Sequence, residues 1–182
     1  KLDVKGPVLL YVGRVAVEKN IEEFLTLAVS GTKVVVGDGP MLSELKTRFP
    51  YAHFAGAKHG TELVGYFNAA DVFVFPSRTD TFGLVMLEAL ACGVPVAAFP
   101  VMGPKDVITE PTVGCLSENL ADAVCTAAQH INSADCRRFA ETRSWRASAV
   151  TFRSYLHPFD PARFGAARAG PADAAREPIG SG

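Results

Sequence analysis

Short apolar runs alternate with helical patterns along the chain. The run Val8–Val12 is unbroken and stops at Gly13, which is typical of a strand that is buried on both faces. Further short apolar runs, bounded by glycine, proline or polar residues, repeat this signal along the sequence. The predicted strands are 8–12, 34–36, 52–55, 72–75 and 94–99, with 52–55 the weakest.

The segments between these runs carry apolar residues at helical spacing. Strands that alternate with helices imply a parallel sheet with helices on both faces, so the expected fold class is α/β with a Rossmann-like sheet. Six helical segments are predicted. The first begins near Ile21, the second covers 41–48, and the third is capped by Thr61. The fourth covers 83–92 and ends at Gly93, the fifth covers 120–131, and the sixth is capped by Ser133, with helical sequence continuing to about His157.

Ligands of open parallel sheets bind beyond the carboxyl ends of the strands. The segments that directly follow predicted strands are therefore the places to look for chemistry. They are 13–19, 37–40, 56–61, 76–83 and 100–105.

The richest of these segments follows the strand at 72–75. Asp80 stands in a loop directly before the predicted helix at 83–92, whose first backbone N–H groups form an anion site. Gly83 allows a ligand close to the backbone, and Glu88 lies about 7–8 Å further along the helix axis. Asp80 could instead be a simple cap and Glu88 a solvated helix residue, but their joint occurrence with Gly83 favours a ligand site.

The segment after the first strand supplies two cations. Arg14 leaves the first predicted strand, and Lys19 is expected to begin the next helix. Together they could neutralise a diphosphate, Arg14 through its planar donor fork and Lys19 as a mobile point charge. The alternative is a surface arginine and a solvated lysine with Glu18 as its partner. The turn at 37–40 is expected to serve turn formation, and His59 is expected to be a solvated loop residue.

Composition narrows the function classes. The 182 residues are enough for one well-cored domain, and the net charge of −1 gives no field that favours nucleic acid or an anionic membrane. No apolar run approaches the roughly 20 residues of a membrane span. The sequence lacks an initiator Met, which suggests a fragment, and from Phe159 onward it is rich in Ala, Arg, Gly and Pro. We expect a domain at 1–157 and a poorly ordered tail at 158–182.

Several common sites lack their motifs. The four cysteines are not closely spaced, so we interpret them as free thiols of a reducing cytosol, and the four histidines show no metal-binding spacing. We therefore predict no metal and no cofactor. Glycine fingerprints of dinucleotide and P-loop sites are missing, as is the G-x-S-x-G nucleophile elbow.

Taken in order, the motifs resemble the C-terminal, donor-binding domain of the family-4 retaining glycosyltransferases, which have the GT-B fold. Segment 75–96 matches that family's Pro-Ser, acidic residue, x-Phe-Gly, Glu-bearing helix and Ala-x-Gly-x-Pro-Val. The resemblance covers about 8–157. The other matching motifs are Gly13-Arg14 with Lys19, Gly37-Asp38-Gly39-Pro40, Phe54-x-Gly56 and Ala69-Ala70-Asp71.

The resemblance implies a nucleotide-diphosphate sugar as donor substrate. Arg14 and Lys19 would bind the diphosphate and stabilise its departure, Asp80 would hold sugar hydroxyls, and these three would be the catalytic residues. Glu88 would accept hydrogen bonds from the ribose, while the loop at 57–58 would border the base. The implied donor-binding residues are Gly13, Arg14, Lys19, Ala57, Lys58, Asp80, Thr81, Phe82, Gly83, Leu84 and Glu88.

Two departures from the family pattern affect these expectations. Asp80 stands where the family usually has Glu, so its carboxylate is one methylene shorter and must reach the sugar through a loop shift or a water. Met102-Gly103-Pro104 with Asp106 replaces a common Gly-Gly-Ile-Pro-Glu.

The resemblance also implies partners and a mechanism. A retaining transfer, in which the acceptor attacks the face that the diphosphate leaves, would need an N-terminal acceptor-binding domain that this chain lacks. We expect a cytoplasmic protein, with peripheral contact to the inner face of a membrane through that missing half. Alternatives are a nucleotide-sugar epimerase or hydrolase of the same fold, a non-catalytic nucleotide-sugar-binding module, and a degenerate domain that binds no ligand.

Overall fold

The computed structural model describes residues 6–80, 83–143 and 153, and the following account concerns these residues. The predicted tail at 158–182, its boundary at 157 and the helix predicted to continue toward His157 lie outside them, as do the predicted site residues Thr81 and Phe82. The strands are β1 Val8–Val12, β2 Thr32–Val36, β3 His53–Gly56, β4 Val72–Phe75, β5 Val96–Ala98 and β6 Gly114–Leu116. The helices are α1 Ile21–Thr26, α2 Leu42–Arg48, α3 Gly60–Asn68, α4 Leu84–Ala91, α5 Pro104–Val107, α6 Leu120–His130 and α7 Ser133–Thr142, with a 3-10 turn at Val17–Lys19.

The strands form a single sheet in the order β3-β2-β1-β4-β5-β6, and every described pair is parallel. The chain thus winds outward from β1 to one edge and then returns to β4, which lies against β1 on its other side. This strand order confirms the predicted Rossmann-like α/β class and places a topological switch point between β1 and β4.

Helices cover both faces of the sheet, as predicted. Successive side chains of a strand point to opposite faces, so Leu9 and Tyr11 pack in a core with α1, α2 and α6. Val8 and Leu10 pack in the other core, with α3, α4, α5 and α7. Burying one such side chain contributes about 1.5–3 kcal/mol to the stability of the fold. The two cores therefore hold the strand ends in fixed positions. Among the described helices, none combines the length and the apolarity that crossing a bilayer requires.

Four local predictions were wrong. Thr61 does not cap α3, because the N-cap position belongs to His59. Ser133 is likewise the first residue of α7, and the preceding Asn132 caps the helix by accepting a hydrogen bond from the Ala134 N–H at 2.8 Å. Lys19 ends a 3-10 turn rather than beginning α1. The last predicted strand is shorter than 94–99, because Pro95 has no N–H to contribute to the ladder.

Two elements escaped sequence reasoning because they are very short. Strand β6 has three residues and helix α5 has four, too few for a periodic signal. Glycine occupies the first position of β6, residue Gly114, because a Cβ there would lie 2.7 Å from the carbonyl oxygen of Val96. Asp106, one of the departures from the family pattern, accepts a hydrogen bond from the Gly103 N–H and so stabilises the start of α5.

Candidate functional site

Two loops leave the sheet side by side at the switch point. The β1 loop (residues 13–20) leads from β1 to α1, and the β4 loop (residues 76–80) leads from β4 toward α4. Because α1 and α4 pack on opposite faces of the sheet, the two loops diverge from neighbouring strand ends. Such a divergence creates the crevice in which open α/β sheets bind ligands.

The β1 loop is fixed by backbone contacts with the turn that follows β2. The Gly13 N–H donates to the Val36 carbonyl at 3.0 Å, and the Val15 N–H donates to the Asp38 carbonyl at 2.8 Å. Gly37 has a φ of 147°, and a Cβ at this position would overlap the carbonyl oxygen of Gly13. The turn at 37–40 therefore does more than reverse the chain, since its missing side chains let two backbones touch.

Tyr11 supports the β1 loop from below. Its side chain is buried, and its hydroxyl donates to the Arg14 carbonyl at 2.9 Å. Burial, and then the nearby carboxylates of Asp80 and Glu18, raise the pKa of Tyr11, so the phenol stays a neutral donor. Sequence reasoning missed this residue, although a tyrosine in an otherwise aliphatic strand was a usable signal.

The structure joins two of the predicted site residues across the two loops. Lys19 Nζ forms an ion pair and hydrogen bond with Asp80 Oδ1, and both side chains are about three-quarters buried, with 24% and 22% exposed. Arg14 is far more open, with 66% of its side chain exposed and Nη1 lying 3.8 Å from Glu18 Oε1. The suggestion that Lys19 pairs with Glu18 was therefore wrong, since Arg14 takes that partner.

Polar side chains add to the contact between the two loops. The Ser77 and Thr79 hydroxyls both lie within hydrogen-bond distance of the Glu18 carbonyl, at 3.5 and 3.3 Å. Asn20 donates from Nδ2 to the Pro76 carbonyl at 3.2 Å. Asn20 adopts a left-handed conformation with φ 54°, which asparagine tolerates better than most residues. The β4 loop is thus fastened to the β1 loop mainly by side chains.

The start of α4 has the features expected of an anion site, although nothing in the structure tests that role. Gly83 is the N-cap residue, with φ 73°, and no side chain caps the described part of the helix start. A Cβ at Gly83 would lie 2.7 Å from the Met86 methyl group. Leu84 and Glu88 are exposed and four residues apart, so they share one face of α4.

Ala57 and Lys58 lie apart from the contacts between the β1 and β4 loops. They follow β3, which is an edge strand, and the Lys58 ammonium lies 3.7 Å from the Glu62 carboxylate. Ala57 is exposed. These residues stand at the same carboxyl edge of the sheet as the two loops, and their predicted contact with the base stays a prediction.

A cavity of about 140 Å³ lies against the β1 loop. None of the predicted donor-binding residues contributes to its wall. Its lining residues are Ala16, Val17, Asn20, Ile21, Glu22, Met41 and Leu45. The described residues include no cluster of three or more His, Cys, Asp or Glu side chains that could hold a metal ion.

Comparisons with known proteins agree with this arrangement. The family model of glycosyl transferases group 1 matches residues 6–132. A GDP-mannose-dependent alpha-mannosyltransferase of Mycobacterium tuberculosis is 42% identical over 112 residues, which are 60% of this chain and 30% of the relative. An alpha-monoglucosyldiacylglycerol synthase of Streptococcus pneumoniae is 30% identical over 167 residues, which are 83% of this chain and 38% of the relative. The chain therefore spans about a third of the length of these relatives.

A solved structure gives the same result for the fold. The sucrose-phosphate synthase of Thermosynechococcus elongatus superposes with a TM-score of 0.67 at 26% identity, over 81% of this chain and 44% of that one. The matches confirm the predicted resemblance to the C-terminal domain of GT-B glycosyltransferases. They do not test the roles of single residues.

Proposed function

We propose, from the premise that the chain belongs to the glycosyl transferases group 1 family, that it binds a nucleotide-diphosphate sugar at the switch point for transfer to an acceptor. The observation that carries this proposal is the contact of Lys19 with Asp80, which joins the β1 loop to the β4 loop. A cation for the diphosphate and a carboxylate for the sugar then stand at the same place.

Magnitudes support a role for Arg14 in binding the diphosphate. Its pair with Glu18 is exposed and of the kind that contributes about 0–1 kcal/mol, whereas a hydrogen bond to a charged group contributes about 1.5–3 kcal/mol. A diphosphate would therefore displace Glu18 as the partner of Arg14. The planar guanidinium can grip two phosphate oxygens at once.

Lys19 and Asp80 are proposed to separate when the donor binds. A phosphate oxygen would replace the Asp80 carboxylate as the partner of Lys19, and Asp80 would then accept hydrogen bonds from sugar hydroxyls. Glu88 would accept from the ribose, and the backbone around Ala57 and Lys58 would border the base. Gly83 and Leu84 at the start of α4, with Thr81 and Phe82 before them in sequence, would hold the phosphate next to the sugar.

The proposed chemistry is transfer with retention of anomeric configuration. The bond between the anomeric carbon and the diphosphate breaks, the acceptor oxygen bonds to that carbon on the same face, and the proton of the acceptor hydroxyl passes to the departing diphosphate. Charge builds on the departing diphosphate, and Arg14, Lys19 and the start of α4 would stabilise it. The proposed reaction uses no protein nucleophile and no cofactor.

A further, acceptor-binding domain is part of the proposal, because the chain spans only 30% and 38% of the two relatives described above. We expect the isolated chain to bind donor without transferring sugar. We propose a cytoplasmic enzyme that touches the inner face of a membrane through the acceptor-binding domain. GDP-mannose is the first donor to test, since the mycobacterial relative is named for it.

The decisive experiment replaces Arg14 with Ala in the enzyme that carries this chain. We expect the rate of sugar transfer to fall about 100-fold or more, because charge on the leaving group loses a stabilising cation. Arg138→Ala is the matched control, since Arg138 is 71% exposed and pairs with Asp135 one helical turn away. Equal rates for the two variants would refute the role of Arg14, whereas no transfer by the unchanged protein would favour a non-catalytic binding module.

A product assay separates the remaining alternatives. An epimerase or hydrolase would change the nucleotide sugar without any acceptor, whereas a transferase needs one. A degenerate domain would bind neither UDP nor GDP sugars in a titration of the chain.

A further inference from the structure

We propose that Arg78 is a positioning residue of the donor site, which holds the β4 loop so that Asp80 lies against Lys19. This inference rests on the proposed function, because it assigns Arg78 an effect on the sugar through Asp80. Sequence reasoning attached no role to this residue.

The first observation is the position of the Arg78 guanidinium group. The Arg78 Cζ atom lies 3.6 Å from the centroid of the Phe99 ring, and Phe99 is fully buried directly after β5. The guanidinium plane therefore stacks on a ring that the sheet and its core hold in place. A cation over an aromatic ring contributes about 0.5–2 kcal/mol, depending on how far it is desolvated.

The second observation is the pair of carboxylates around the same group. Arg78 Nη1 lies 3.4 Å from Glu118 Oε2, in the segment between β6 and α6, and Nη2 lies 4.0 Å from Glu23 Oε1 on α1. Glu23 also accepts a hydrogen bond from Asn20 of the β1 loop at 2.6 Å. One side chain thus ties the β4 loop to β5, to α1 and to the segment before α6.

These contacts matter because, among the described residues, the other hydrogen bonds and ion pairs that the β4 loop makes with the rest of the chain all reach the β1 loop. Ser77 and Thr79 contact the β1 loop, while Arg78, between them in sequence, contacts residues beyond β4. Removing Arg78 deletes the described side-chain contacts of the loop on the side away from the β1 loop. Asp80 is two residues further on, and its short side chain can compensate for little movement of the backbone.

The chemistry of arginine suits this place better than that of lysine. The flat guanidinium can stack on the ring, donate to Glu118 and keep its charge near Glu23 at the same time, whereas an ammonium is a compact point charge. Arg78→Lys should therefore keep part of the effect and Arg78→Ala none. Arg78 is not expected to touch the donor itself.

The test is a calorimetric titration of the chain with GDP-mannose, UDP-glucose and the bare nucleotides GDP and UDP. For whichever nucleotide sugar binds, we expect Arg78→Ala to weaken affinity about 5- to 10-fold, which is about 1–1.4 kcal/mol. The affinity for the matching bare nucleotide should change less than twofold, because this nucleotide lacks the diphosphate-linked sugar that Asp80 would hold. Arg78→Lys should recover part of the loss.

A matched control and a double variant test the path through Asp80. Arg48 is 42% exposed against 44% for Arg78, pairs with Glu22 and Glu44, and stacks over Phe49, but it lies at the far end of α2. Arg48→Ala should leave both affinities unchanged. In an Asp80→Asn background, Arg78→Ala should lower the affinity for the nucleotide sugar by less than twofold.

The outcomes separate this inference from the proposed function. If the unchanged chain binds no nucleotide sugar, the proposed function fails, and the inference fails with it. If the unchanged chain binds one but Arg78→Ala binds it equally well, or loses the sugar and the bare nucleotide alike, the inference alone fails. Full additivity with Asp80→Asn would also overturn it.

Discussion

The two loops at the switch point are held in different ways. The β1 loop is fixed backbone to backbone, by hydrogen bonds from Gly13 to the end of β2 and from Val15 to the turn after β2. The β4 loop is fastened by side chains, through Lys19 with Asp80 and through the stack of Arg78 on Phe99. Both lie beyond neighbouring strands, so the difference does not come from their place in the sheet.

This difference assigns distinct tasks to the two loops. Backbone contacts that leave no room for a side chain cannot adjust without unfolding part of the edge. Side-chain contacts that are partly exposed can exchange partners at low cost. The β1 loop therefore offers a rigid cation site, and the β4 loop offers a carboxylate that can move to meet a sugar. Substitutions that disturb the backbone contacts of the β1 loop should cost stability, and substitutions of the side chains that face the donor or join the two loops should cost affinity.

The largest expected effect is on the rigid loop. Gly37→Ala places a Cβ against the carbonyl oxygen of Gly13, so we expect the free energy of unfolding to fall by roughly 2–4 kcal/mol. Urea unfolding measures this loss. Gly65→Ala is the control, because its Cβ would meet no atom within 4 Å in the middle of α3, and it should raise stability by about 0.5–1 kcal/mol. Equal effects of the two substitutions would disprove the tight packing.

The next effect concerns the contact between the loops. Lys19→Ala removes the proposed partner of the diphosphate, so affinity for a nucleotide-diphosphate sugar should fall about 10- to 100-fold. Calorimetry of the chain measures the affinity, and urea unfolding shows whether stability is kept. Arg48→Ala should lower the affinity by less than twofold. An affinity that survives the loss of Lys19 would place the diphosphate elsewhere.

The pH dependence of stability tests the support beneath the β1 loop. The folded-state pKa of Tyr11 is raised above its ordinary value of 10.0, so above pH 10 the unfolded chain loses this proton first. The contribution of Tyr11 to stability is therefore complete below pH 10 and declines as pH rises. Unfolding at pH 9 and pH 11 should show a loss that is about 1 kcal/mol greater in the unchanged chain than in Tyr11→Phe. Parallel pH profiles would contradict the burial of a neutral phenol.

The smallest expected effect concerns a single side-chain hydrogen bond of the β4 loop. Thr79→Val removes the hydroxyl near the Glu18 carbonyl, and we expect affinity for the nucleotide sugar to fall about two- to fivefold while stability changes little. Thr112→Val is the control, because the Thr112 hydroxyl contacts only Glu110 in its own exposed segment. A loss of stability without a loss of affinity would reverse the division of tasks.

The sequence predicted the sheet better than it predicted the contacts around the switch point. β1 and β4 were predicted to the residue, because a parallel strand buried on both faces leaves an unbroken apolar run. β6 escaped because three residues carry no period. The fold class followed from strand–helix alternation, which needs no knowledge of side-chain partners.

The partners of the site residues could not be predicted, because they depend on how the loops run in the folded chain. Arg14, Lys19 and Asp80 were chosen for their place after strands, but the choice of Glu18 for Arg14 and of Asp80 for Lys19 depends on loop paths set by glycines at 37 and 39. The stack of Arg78 on Phe99 joins two separate strand ends. Only the folded sheet brings such residues together.

The central claim is that a sugar-linked diphosphate binds between the β1 and β4 loops. The most direct test is to follow the backbone amides of the chain by NMR during a titration with GDP-mannose and UDP-glucose. The account predicts that one of these donors shifts the amides of residues 13–20, 77–80 and 83–88, and that Lys19→Ala abolishes the shifts. Shifts confined to other surfaces, or none with either donor, would contradict it.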